Sequence, residues 1–186
     1  MNRVNVRKGD CFFIPAGTVH ALGAGILVAE VQTVSDLTFR LFDWNRLDAN
    51  GNPRELHLEP GIQSIHTPTF PIRTEQPVRA KHKHCEQMLD SPWFSLDRWT
   101  LDKPILWNND ERCHIWTVLE GSADAVFTAG RRFAESVVSG RAADPDGIET
   151  LNRGDTLLIP AVCQYIRWVP EQKKNTVLLD VTVKFI

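Results

Sequence analysis

Two stretches of this 186-residue chain repeat each other. "KGDCFFIPAGTVH" at 8–20 aligns with "RGDTLLIPAVCQY" at 153–165, pairing Gly9 with Gly154, Asp10 with Asp155, Ile14 with Ile159 and Pro15 with Pro160. Each copy reads as a glycine turn, a short apolar strand, and a proline that cannot donate to a central ladder and so ends the strand. A strand-and-turn unit used twice constrains the chain to a β architecture built on one plan and repeated. The rest of the sequence agrees. Glycine and proline punctuate short alternating segments, and long helical periodicity is rare, so an all-β barrel or sandwich is predicted.

The alternation places strands at 4–14, 18–34 and 37–43, and a second series at about 93–101, 112–120, 122–128, 148–152, 155–160, 164–169 and 176–185. "DANGN" (48–52) is a turn by composition, and "LEPGIQSI" (58–65) reads as one short helix. The segment 66–84 holds three prolines and many polar residues and reads as a linker. Residues 129–147 read as an inserted loop with some local structure.

Composition narrows the function classes. A hydrophobic content of 42% over this length suffices for one complete domain and part of another. With a net charge of −2 and a pI near 6.3, and with Arg and Lys scattered, neither a nucleic-acid partner nor an anionic membrane surface is expected. No apolar run approaches the roughly 20 residues that span a bilayer, and "MNRVNVRKGD" has no signal-peptide core. Cys11, Cys85, Cys113 and Cys163 form no CxxC pair. They read as reduced thiols, mostly core fillers, which points to a cytoplasmic protein.

The first repeat carries chemistry that the second lacks. Its spacing, G-x5-P-x-G-x2-H, runs from Gly9 through Pro15 and Gly17 to His20. Gly17 permits a tight turn, and His20 opens the return strand. A histidine there faces the mouth of a small barrel, where neutral imidazole suits a divalent metal. The alternative is a histidine satisfied by hydrogen bonds within its turn. In the second copy Val162 stands for Gly17 and Tyr165 for His20, so strand and turn remain while the metal-type residue is gone.

The spacing at 9–20 resembles the second conserved motif of the cupin superfamily. Its continuation, "HALGAGILVAEVQTVSDLTFRLFDWNR" (20–46), resembles type I mannose-6-phosphate isomerases through His20, Glu30, the "SDLTFR" box (35–40) and the "LFDWNR" end (41–46); "GNPRELHL" (51–58) is similar too. The resemblance implies a cupin, a jelly-roll-like β-barrel, with 1–47 as the terminal strands of a first, metal-type cupin, 48–88 as a linker with one short helix, and 89–186 as a complete second, non-catalytic cupin. It implies an enzyme class, the aldose–ketose isomerases that interconvert mannose 6-phosphate and fructose 6-phosphate, with a sugar phosphate as the small-molecule partner. It implies zinc, held in the family by an upstream glutamine, histidine and glutamate with His20 as the fourth ligand. Those three have no counterpart before Gly9, so the chain by itself is expected to be weakly active or inactive. A metal-free sugar-phosphate-binding or regulatory cupin is the alternative. Arg40 aligns with the family's catalytic arginine and is the implied contact for substrate phosphate or a developing oxyanion. Unpaired edge strands in the first barrel lead us to expect either an oligomer, such as a homo-oligomer through that barrel, or packing of these strands against the second barrel.

Other residues are weaker candidates. Glu30 shares strand parity with His20. Flanked by Val28, Ala29 and Val31, it is expected to be partly buried, either moving protons between C1 and C2 or pairing with an arginine. Counting back from Gly121, the cupin metal positions of the second barrel fall on Asn108, Asp110 and His114, with Tyr165 opposite. A neutral amide and a phenol make that a degenerate set. "KHKHC" (81–85) reads as chance clustering of histidines, and five of the six tryptophans lie in the second barrel, where core packing is their expected role.

Overall fold

The computed structural model describes residues 3–33, 35, 37–66, 74–79, 82–127, 135–136, 141–142, 147–171 and 175–184. The chain forms two compact units, Met1–Thr74 and Glu75–Ile186.

The second unit is a sandwich of antiparallel sheets. Its described strands are β1 Val78–Arg79, β2 Cys85–Asp90, β3 Phe94–Leu101, β4 Ile105–Asn108, β5 His114–Glu120, β6 Ser122–Phe127, β7 Glu135–Ser136, β8 Arg141–Ala142, β9 Ile148–Asn152, β10 Thr156–Ile159, β11 Tyr165–Pro170 and β12 Thr176–Val183. One sheet runs β1-β2-β3-β12-β5-β10-β7-β8 and the other β4-β11-β6-β9. The period-two pattern decides which face is buried. In "SADAVF" of β6, Ala123, Ala125 and Phe127 are buried; in β5, His114, Trp116 and Val118 are. The inner faces of both sheets meet in one core, with Trp99, Trp116, Leu157 and Leu178 from the larger sheet and Trp107, Ala125, Ile166 and Trp168 from the smaller. The tryptophans pack on one another. Ring centroids lie 5.5 Å apart for Trp99–Trp116, 5.3 Å for Trp107–Trp116 and 4.8 Å for Trp116–Trp168, in tilted and edge-on geometries that favour aromatic pairs.

All seven strands of the second series form within a residue or two of their predicted limits. The prediction missed β2 and β4. β2 carries a register shift between Gln87 and Leu89 that breaks its alternation, and at four residues β4 is too short to display a period. The span assigned to the linker includes β1 and most of β2. Most of 129–147 lies outside the described residues, which here comprise the paired β7 and β8 and Gly147.

Among its described residues the first unit has one helix, α1 Leu58–Gln63, within the span predicted for it. The turn at 48–52 also forms. The Asp48 carboxylate accepts the Asn50 and Asn52 amides at 2.8 Å each. The strands predicted at 4–14, 18–34 and 37–43 do not form ladders among the described residues; two isolated bridges, Phe12–Thr74 and Leu47–Pro53, stand in their place. A strand exists only where a neighbour accepts and donates its backbone hydrogen bonds, and apolar alternation alone does not supply one. Accordingly Asp43 and Gly61 are the buried residues of this unit among those described, while Leu27, Leu37, Phe42, Trp44 and Ile62 are exposed.

Candidate functional site

The polar centre of the first unit is built from "RLFDWNR" (40–46) and "ELH" (55–57). Asp43 opens a turn in which the Arg46 amide donates to the Asp43 carbonyl at 3.0 Å. Both central residues, Trp44 and Asn45, have positive φ (56° and 55°), a left-handed conformation that is uncommon for a bulky side chain. That turn folds Arg46 back onto Asp43, whose Oδ1 accepts from Arg46 Nη2 at 2.8 Å and Nε at 3.2 Å. Arg54 reaches the same carboxylate, with Nε 2.5 Å from Oδ2 and Nη2 on Oδ1.

Arg40 completes the cluster, its Nε 3.8 Å from Asp43 Oδ1 and its Nη1 donating to the Glu55 carbonyl at 3.0 Å. His57 fixes the backbone of Arg40 from both sides. The Arg40 amide donates to His57 Nδ1 at 3.1 Å, and the His57 amide donates to the Arg40 carbonyl at 2.8 Å. The bond from Arg54, and then that from Arg46, hold the Asp43 carboxyl near 2 against the opposing effect of burial. It is therefore ionised throughout the neutral range. Three guanidinium groups converge on one carboxylate, leaving two positive charges that Asp43 does not balance. Planar forks with spare N–H donors are suited to a phosphate or a carboxylate.

His20 and Glu30 do not join this cluster. Gly17 (φ 80°) turns the chain where an added Cβ would meet the Ser64 carbonyl at 2.8 Å, and its own carbonyl accepts the His66 amide at 2.9 Å. The His20 ring is exposed, with Nδ1 3.0 Å from the Thr18 carbonyl. Glu30 is exposed, not half-buried as its neighbours suggested, because Val28 and Ala29 are exposed as well. Among the described residues no hydrogen bond or ion pair joins His20, Glu30 and Arg40. Nor does any group of three or more His, Cys, Asp or Glu stand in positions to share a metal ion. A stable zinc site takes three or four such ligands, so the described residues of this chain do not fit zinc.

Sequence reasoning singled out Arg40 but not Asp43, Arg46 or Arg54. The signal was present in "FDWNR": an acid three residues before an arginine, across a pair that reads as a turn.

No family model matches the chain. Among curated proteins it is similar to mannose-6-phosphate isomerase ManA of Bacillus subtilis, at 33% identity over 165 residues that make up 86% of this chain and 46% of that protein. The mannose-6-phosphate isomerase of Streptococcus mutans is 28% identical over 86% of this chain and 45% of its own length. The chain thus spans about half the length of the curated relatives it matches. The crystal structure of the mannose 6-phosphate isomerase from Bacillus subtilis superimposes on 78% of this chain and 40% of its own, with a TM-score of 0.58 and 23% identity, and so shares its fold. With the fold of the Bacillus subtilis enzyme and 33% identity through most of its own length, the chain is similar to mannose-6-phosphate isomerases over about half of theirs.

Proposed function

We propose that this chain is part of a sugar-phosphate isomerase that interconverts mannose 6-phosphate and fructose 6-phosphate, and that the 186 residues alone are weakly active or inactive. The observation that carries this reading is the Arg40–Asp43–Arg46–Arg54 cluster, formed by the segment that resembles the family and holding more positive than negative charge. Aldose–ketose isomerisation moves a proton between C2 and C1 through an enediol. Arg40 is the group to stabilise the oxyanion or hold the phosphate, and Glu30 the acid–base candidate. His20 is the single candidate ligand for the zinc that the family implies, and one ligand does not retain it. The remaining ligands must then come from another segment or polypeptide. The exposed apolar side chains of this unit favour such an association, a second copy included. Free thiols and a phosphorylated substrate suit the cytoplasm.

The test is isomerase turnover by the purified chain with and without added zinc. Activity near background supports the reading, and turnover comparable to a full-length relative overturns it. The same cluster also suits a metal-free sugar-phosphate-binding cupin. Saturable binding of mannose 6-phosphate that survives chelator, without turnover, would favour that second reading.

A further inference from the structure

In the second barrel the degenerate metal positions hold a cluster of charge. His114 begins β5 and is buried, its side chain 5% exposed. Its Nδ1 lies 2.8 and 3.1 Å from the two carboxylate oxygens of Asp180, in the middle of β12. On the other side Nε2 lies 3.0 Å from Oδ1 of Asp110, in the turn between β4 and β5. Thr182 Oγ1 stands 3.2 Å from Nδ1, and the Trp107 ring of β4 packs edge-on at 4.8 Å. Asp97 of β3 sits directly across the register from Asp180, and its Oδ1 is buried with no partner. Arg112 closes the turn on Asp110.

An ionised carboxylate only accepts hydrogen bonds. Both ring nitrogens of His114 face carboxyl groups, and with both of those ionised both nitrogens must donate. A neutral imidazole has one N–H and would set a lone pair against an oxygen; an imidazolium satisfies both sides. Asp97, Asp110 and Asp180 supply three negative charges around it, and Arg112 supplies the other positive one.

We propose that the His114 imidazolium is the resident cation of this barrel, standing where the cupin plan places a metal ion, so that the second unit takes no divalent cation there and loses stability as that proton leaves. The electrostatics agree with the geometry. Burial alone would pull His114 toward neutrality, but the bonds and charges of Asp180 and Asp110 outweigh it and raise its pKa above the ordinary value. The His114 contribution is therefore complete below the unfolded-state value near 6.5 and is lost as pH rises through the raised native value. Burial raises the pKa of Asp180 as well, against the bond and charge of His114. Burial first, then the Asp180 charge, pushes Asp97 up to about 6, with a small further rise from Asp90 of β2, while Arg112 and His114 help hold Asp110 near 2 despite its burial.

The test is 15N NMR of the His114 ring in the full chain from pH 5.5 to 9, with and without Zn2+. Expected are two protonated nitrogens at pH 7, a midpoint above 6.5, no shift of these signals with stoichiometric Zn2+, and a lower midpoint in Asp110→Asn, a change at an accessible side chain that spares the core. In chemical denaturation, the wild type should lose stability above pH 6.5, and in Asp110→Asn that loss should begin at lower pH. A singly protonated His114 ring at pH 7, or displacement of its proton by stoichiometric Zn2+, overturns the proposal.

Discussion

Trp116 sits at the centre of the tryptophan cluster of the second unit. It has no accessible surface and touches the rings of Trp99, Trp107 and Trp168, which come from three other strands and from both sheets. A fully buried tryptophan removes up to about 250 Å2 from water. At about 25 cal/mol per Å2 that sets an upper limit of about 6 kcal/mol. The denatured chain already buries roughly 10–40% of such area, which brings the figure to about 4–5 kcal/mol. This agrees with the roughly 3–5 kcal/mol seen when buried Phe or Trp is cut to Ala. Trp116→Ala should therefore cost about 4 kcal/mol, much of the total of about 5–15 kcal/mol that holds a domain folded. Urea unfolding of the second unit, followed by far-UV circular dichroism, measures this. The near-UV signal from the stacked indoles should fall in the same variant. Trp93→Ala is the control, since that ring is 46% exposed, and it should cost less than about 1 kcal/mol. If Trp116→Ala costs no more than Trp93→Ala, the stacked core does not hold the two sheets together and the reasoning fails.

Asp97→Asn should change the pH dependence of the same unit. The native carboxyl titrates near 6 against 3.8 when unfolded, so wild-type stability is greater below pH 3.8 and falls as pH rises toward 6. The variant should lack that fall, worth up to about 3 kcal/mol and less because Asp97 is only partly buried; an unchanged slope in denaturation at pH 4 and 6 would count against the assignment. Gly17→Ala forces a Cβ within 2.8 Å of the Ser64 carbonyl at φ 80°, so faster hydrogen exchange is expected at the His66 amide, with none at the β5 amides. Asp43→Asn removes the charge that gathers Arg46 and Arg54. Limited proteolysis should then cut within 40–57 several-fold faster than in the wild type, and equal rates would show that the cluster does not order this segment. Elemental analysis after dialysis without chelator should find well under one zinc per chain; one per chain would mean that His20 has found other ligands.

Local structure is legible in the residues alone, and the repeat shows how far that reaches. Gly9 and Gly154 adopt the same left-handed conformation, at φ 90° and 95°. The Arg7 amide donates to the Asp10 carboxylate and the Asn152 amide to that of Asp155, both at 2.8 Å. After each proline the chain turns alike, with Thr18 donating to the Pro15 carbonyl at 3.2 Å and Cys163 to that of Pro160 at 3.0 Å. These are contacts over a few residues, so a few residues specify them. The family resemblance was legible for a similar reason, since it rests on contiguous motifs at 9–20 and 35–46. Tertiary structure alone decided whether the apolar run beyond each glycine became a strand. Thr156–Ile159 is one because β5 lies beside it, pairing Leu157 with Trp116 and Ile159 with His114. In the matching segment 11–14 the described pairing is one bridge, Phe12 to Thr74. The polar centres were hidden in the same way. Asp180, a lone acid in the apolar run "TVLLDVTV", meets a histidine 66 residues away, and Arg54 reaches Asp43 from 11 residues on. An ion pair forms where the fold brings its two charges together, and the sequence of either partner alone does not record that distance.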